Sequence, residues 1–120
     1  SRLIYAGHVA RYGNIKIVVG IGGSALPYVV GRLRRNAAVS KEKLGDPDAA
    51  LAAFYYDTIL QDRRSLRFLA DVVGADRIMM GSDMPFPIGD LEPLKIVADT
   101  GFTDAERASI NGGLAARLLG

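Results

Sequence analysis

Three short stretches set polar, chemistry-bearing residues directly after apolar runs. The first is Gly20-Ile21-Gly22-Gly23-Ser24-Ala25, which follows "IKIVV". It fits G-x-G-x-x-G/A, a pattern that brings backbone amides to a pyrophosphate when it joins a strand to a helix. The second is Asp57, at the end of "FYYDT", placed to accept hydrogen bonds from loop backbone or to orient a neighbouring group. The third is Asp83 in "MGSDMPFP", where Pro85 and Pro87 stiffen the exit from an apolar run. A carboxylate there suits a divalent cation or acid–base work, and it equally suits capping of the following turn. His8 is the sole histidine. Inside a short helical pattern it reads as a packed or surface residue more readily than as a ligand.

These residues need elements to hold them. "IKIVVG" is short and β-branched, the pattern of a buried strand. A helix is expected from Ala25 to about Ala38, with Pro27 in its first turn, where a missing N–H costs nothing. "VSKEKLGDPD" is polar and broken by Gly45 and Pro47, hence a loop. Ala49 to Ala53 reads as a helical turn and Phe54 to Thr58 as a second strand. "DRRSLRFLADVVG" is an amphipathic helix, with Leu66, Leu69, Val72 and Val73 at helical spacing and Gly74 as its stop. Arg77 to Gly81 forms a third strand, with Met79 and Met80 in the core. A short helix begins at Pro93. Thr103 and Glu106 have the spacing of a capping box. The final helix is expected to turn Leu114, Ala115, Leu118 and Leu119 inward.

Strands alternate with helices, which implies parallel pairing, right-handed crossovers and chemistry in the loops after the strands. Those loops are "GIGGS", "DTILQD" and "GSDMPFP". The dinucleotide reading of the first loses force downstream. It requires an acidic residue at the end of a second strand roughly 20 residues on, and Glu42 lies in polar loop sequence instead.

Composition narrows the classes. The 120 residues are 49% hydrophobic and 23% charged, with net charge +2, a soluble globular profile. Two arginine clusters, at Arg32, Arg34 and Arg35 and at Arg63, Arg64 and Arg67, sit on helices as solvated faces. No aromatic platform accompanies them, so nucleic acid is not an expected partner. No apolar stretch has the roughly 20 residues of a membrane span. With no cysteine, disulfides and thiolate metal sites are excluded, and a cytoplasmic location is compatible.

Taken in order, "KIVVGIGGSALPYVVGRL", "FYYDTILQDRRSLRFLADVVGADRIMMGSDMPFPIGDLEPL" and "INGGLAARLLG" resemble the C-terminal part of amidohydrolase-related proteins, of the aminocarboxymuconate-semialdehyde decarboxylase type. The similarity runs from about Asn14 to Gly120. It implies an α/β fold, about three βα units from the end of a (β/α)8 barrel, corresponding to strands six to eight. It also implies a divalent metal, zinc by expectation, with Asp83 as ligand and catalytic residue. Arg32, in the "GR" after "ALPY", is implied to hold a small substrate carboxylate across a homodimer interface. The activity implied is that of a cytoplasmic decarboxylase or hydrolase. Two departures stand against full activity. Ile21 occupies the histidine position of the family's "HGGG", and isoleucine can neither ligate metal nor move a proton. Leu114 stands where relatives carry Asn. The family's H-x-H and later histidine have no counterpart, and His8 matches neither. A chain with this inventory is expected to be inactive alone. A non-catalytic relative and a nucleotide-binding α/β domain are the alternative readings.

Overall fold

The computed structural model describes residues 1–120. Two short helices open the chain, α1 (Arg2–Tyr5) and α2 (His8–Arg11). Strand β1 (Val18–Val19) leads through a tight turn, Ile21–Gly23, into helix α3 (Leu26–Val39). Helix α4 (Pro47–Ala53) precedes strand β2 (Tyr55–Asp57), and helix α5 (Arg63–Val73) precedes strand β3 (Ile78–Met79). Helices α6 (Pro93–Asp99), α7 (Asp104–Ala108) and α8 (Leu114–Leu119) follow, with one wide turn, Ser109–Gly113, between the last two.

The sheet order is β1-β2-β3, and both pairings are parallel. The register sets Val19 opposite Tyr56 and Asp57 opposite Met79. All three strands therefore end on the same side, where their exit loops gather. This is an arc of three parallel βα units; the element order predicts the parallel pairing, and the family resemblance implies such an arc as part of a (β/α)8 barrel.

Side-chain chemistry explains where the helices start and stop. Asp62 accepts from the Arg64 and Ser65 amides, capping α5, and Gly74 at φ 90° ends it. Asp46 caps α4 by accepting from the Asp48 amide, with Pro47 at the first position; this helix begins two residues before the expected Ala49. The capping box at Thr103 is formed in both directions: Glu106 N–H donates to Thr103 Oγ1 at 3.2 Å, and Thr103 N–H to the Glu106 carboxylate at 2.8 Å. Tyr56, Leu66, Leu69, Ile78, Val97 and Ile110 form the centre of the core.

Several expectations are corrected. Strand β1 is two residues long, and Val18 is 49% exposed. It lies at one edge of the three-stranded sheet, with β2 on one side only, so its β-branched run is not covered as a central strand would be. Met80 is exposed for a related reason: β3 is the other edge, and its ladder ends at Met79. Leu119 is 89% exposed, because the last helix buries only Leu114. Arg34 is not simply solvated; it grips Asp48 through Nε and Nη2, the latter at 2.6 Å.

Candidate functional site at the strand ends

The site is built from the loops after the three strands. After β1 the backbone turns through four consecutive residues of positive φ: Ile21 (55°), Gly22 (55°), Gly23 (79°) and Ser24 (53°). Glycine takes this region freely, whereas for β-branched Ile21 it is a strained outlier. The Ile21 side chain is 57% exposed, so burial does not offset that strain.

All four amides of this turn are engaged within the protein. Ile21 N–H donates to Asp57 Oδ2 at 3.0 Å, and Gly22 N–H to Asp57 Oδ1 at 2.8 Å. Gly23 N–H donates to the Gly20 carbonyl and Ser24 N–H to the Ile21 carbonyl. A pyrophosphate would need these same donors. The glycine loop thus serves close approach to Asp57 and to Tyr56 beneath it, and the dinucleotide reading has no free amide there to stand on.

Asp57 belongs to β2 and is 8% exposed. Its third hydrogen bond comes from the Ile59 amide at 3.2 Å. The next residue, Thr58, is buried and ties β2 to the third loop. Its hydroxyl donates to the Gly81 carbonyl at 3.2 Å and accepts from the Gly81 amide at 3.1 Å. Gln61 donates from Nε2 to the Ile88 carbonyl, farther along that loop. One strand end therefore fastens all three exit loops. Sequence reading weighed Asp57 and passed over Thr58 and Gln61. The polar Asp57-Thr58 pair closing the aromatic strand was the available signal.

Asp83 stands in the third loop, partly buried, at φ 58°. Its carbonyl accepts from Phe86 N–H in the turn. Its carboxylate caps no helix and joins no ion pair, so the turn-capping alternative is carried by the main chain. The side-chain turn contact here is made by the neighbouring Ser82, whose hydroxyl accepts from the Met84 amide.

The remaining candidates lie elsewhere. Arg32 is on the exposed side of α3, in the helical layer, and has no ion-pair partner within the chain. His8 is on α2, its ring 5.8 Å from that of Tyr12, with Nδ1 buried and unpartnered; it takes no part in the strand-end loops. Below the site, burial pushes the Tyr56 hydroxyl up to about 12, and that hydroxyl donates to the Leu51 carbonyl at 3.0 Å. Tyr56 is a neutral floor at physiological pH.

A metal was tested against these donors. No three His, Cys, Asp or Glu side chains converge anywhere in the chain, and the Asp57 oxygens are already held by three amides. The residues of this chain alone do not make a catalytic metal site, which takes about three protein ligands. Asp83 offers one.

The amidohydrolase family model matches residues 2–120. This chain belongs to the amidohydrolase family. It is similar to 2-amino-3-carboxymuconate-6-semialdehyde decarboxylase of Dictyostelium discoideum, with 26% identity over 98% of this chain and 34% of that protein. It is also similar to 2-keto-4-carboxy-3-hexenedioate hydratase of a Sphingobium species, with 26% identity over 77% of this chain and 27% of the relative. Among solved structures it resembles a dihydroxybenzoic acid decarboxylase from Polaromonas, determined with bound manganese and the inhibitor 2-nitroresorcinol. That match has a TM-score of 0.82 and 26% identity over 98% of this chain and 37% of the other. The chain spans between about a quarter and a third of the length of the curated relatives it matches. No helix is long and apolar enough to cross a membrane.

Proposed function

We propose that this chain supplies three βα units, the sixth to eighth, at the C-terminal end of a metal-dependent (β/α)8 decarboxylase acting on a small carboxylate substrate. The observation that carries this reading is Asp83. Within a family whose members include decarboxylases, it sits at the strand-end mouth with its carboxylate free of ion pairs. There it contributes one ligand to a divalent ion whose other ligands come from outside these residues. The Polaromonas decarboxylase supports a divalent ion through its manganese; zinc remains our own expectation for this protein.

Arg32 has the chemistry for the substrate carboxylate. A guanidinium holds a carboxylate through two parallel hydrogen bonds, and this one is exposed and unpaired. Its place on the outer helical layer fits a role across a two-fold interface, with the homodimer in the cytoplasm as the working form. Ile21, at the loop position that resembles the family's histidine, moves no proton, so an active protein must draw that proton from another group. The same residue favours the second reading, a non-catalytic relative that keeps the barrel without the chemistry.

The test uses the full polypeptide that carries this chain, supplied with manganese or zinc. It is incubated with hydroxybenzoate and carboxymuconate-type acids, and released carbon dioxide is measured beside water addition. Carbon dioxide release that falls at least a hundredfold in Asp83→Asn supports the decarboxylase. Water addition without carbon dioxide identifies hydratase chemistry instead. No turnover with metal bound supports the non-catalytic reading.

A further inference from the structure

The loop after β1 is unusual in that four successive residues have positive φ, with the non-glycine residues Ile21 and Ser24 flanking the pair Gly22-Gly23. Two successive amides of this turn, those of Ile21 and Gly22, converge on one point, the concave arrangement that holds an anion. Here the anion is internal. Asp57 Oδ2 takes the Ile21 amide, and Oδ1 takes the Gly22 and Ile59 amides. The carboxylate is nearly buried and has no cationic partner. A buried charge without a counterion requires strong hydrogen bonds, and three amides supply them. The packing leaves little freedom: a Cβ at Gly20 would lie 3.4 Å from Asp57 Oδ2, and one at Gly81 would lie 3.1 Å from Asp57 Cβ.

We propose that Asp57 is a positioning residue: its carboxylate is the internal anion that holds Ile21 at positive φ and thereby fixes the side chain of position 21 above the strand ends. The backbone of residue 21 is strained for isoleucine, so it needs a specific restraint to persist. The Ile21 amide contacts Asp57 Oδ2 and nothing in its own loop. Asp57 also joins this loop to the second one through Ile59, and its neighbour Thr58 joins the second to the third through Gly81, two residues before Asp83. The inference concerns geometry and stands whether the protein is a decarboxylase or a non-catalytic relative.

The substitution Asp57→Asn tests this residue by residue. An asparagine oxygen can keep the Gly22 and Ile59 amides, but its NH2 group then faces the Ile21 amide, donor against donor. Nuclear magnetic resonance on the full polypeptide that carries this chain, with Ile, Gly and Asp selectively labelled, reads the result. In the wild type, the Ile21 and Gly22 amides show through-hydrogen-bond coupling to the Asp57 carboxylate carbon. Ile21 also shows the strong contact between amide and α protons that positive φ produces. In Asp57→Asn, Ile21 loses that signature, and its amide exchanges with solvent about tenfold faster or more, while Tyr56 and Ile78 keep their protection. In Asp57→Gly, added sodium formate restores the Ile21 signature, because the small carboxylate re-enters the cradle. Absence of the coupling in the wild type overturns the proposal, even if both variants fail to fold. So does an Ile21 that keeps positive φ in a folded Asp57→Asn, or a folded Asp57→Gly that formate leaves unchanged.

Discussion

Replacing Gly23 by alanine measures how tightly the first loop is seated on the core. Gly23 has φ 79°, and a Cβ there would stand 2.9 Å from Tyr56 Cδ1 and Cε1 and 3.2 Å from Pro27 Cδ. Tyr56 is fully buried and its hydroxyl is bonded to the Leu51 carbonyl, so its ring cannot swing aside without breaking that bond. Two costs add. Alanine at positive φ costs about 1 kcal/mol, and overpacking against a fixed ring costs about 1–3 kcal/mol. The sum is about 2–4 kcal/mol, a large share of the ~5–15 kcal/mol that holds an ordinary domain together. Gly101 separates the terms: its φ is 77°, yet a Cβ there meets nothing within 4 Å, so Gly101→Ala should cost only the backbone part. Urea denaturation followed by circular dichroism gives both values from the shift in midpoint. Equal losses in the two variants would refute the argument that the loop rests on Tyr56.

Other consequences follow from the same geometry. Thr103→Ala removes the capping oxygen of α7 and should cost about 1 kcal/mol in the same assay. The backbone amide of Thr103 holds the Glu106 carboxyl below its ordinary value, and the Ser65 amide does the same for Asp62. A carboxyl with a lower value in the folded state stabilises above its unfolded value and loses that contribution as pH falls through the folded one. The urea midpoint should therefore drop below about pH 4, and less steeply in Asp62→Asn combined with Glu106→Gln. In the full polypeptide, Ile21→His should raise decarboxylation, since a positioned acid–base group is worth about 10²–10⁴ in rate; no gain with metal occupancy confirmed would remove position 21 from the chemistry.

What the sequence disclosed was mostly local. Helix α5 could be read from its apolar spacing and its Gly74 stop, because each signal lies within one or two turns. The Thr103–Glu106 box was visible for the same reason. The alternation of strands and helices places Asp57 and Asp83 at strand ends. Long-range pairings were not legible. The bonds from Ile21 and Gly22 to Asp57 span 36 and 35 residues, and no periodicity announces them. Burial at the sheet edges was also hidden: the β-branched run around Val18 looks like a core strand, but what covers a strand is decided by its neighbours. Leu119 fits the apolar stripe of its helix and still faces solvent, since no element packs on that turn.

We propose that Asp83 holds a divalent ion at the strand-end mouth. Metal stoichiometry tests it most directly, measured by inductively coupled plasma mass spectrometry on the full polypeptide after exhaustive dialysis, wild type beside Asp83→Asn. A stoichiometric divalent ion is expected in the wild type, with at least a tenfold loss of occupancy in the folded variant. Equal occupancy in the two proteins would contradict it.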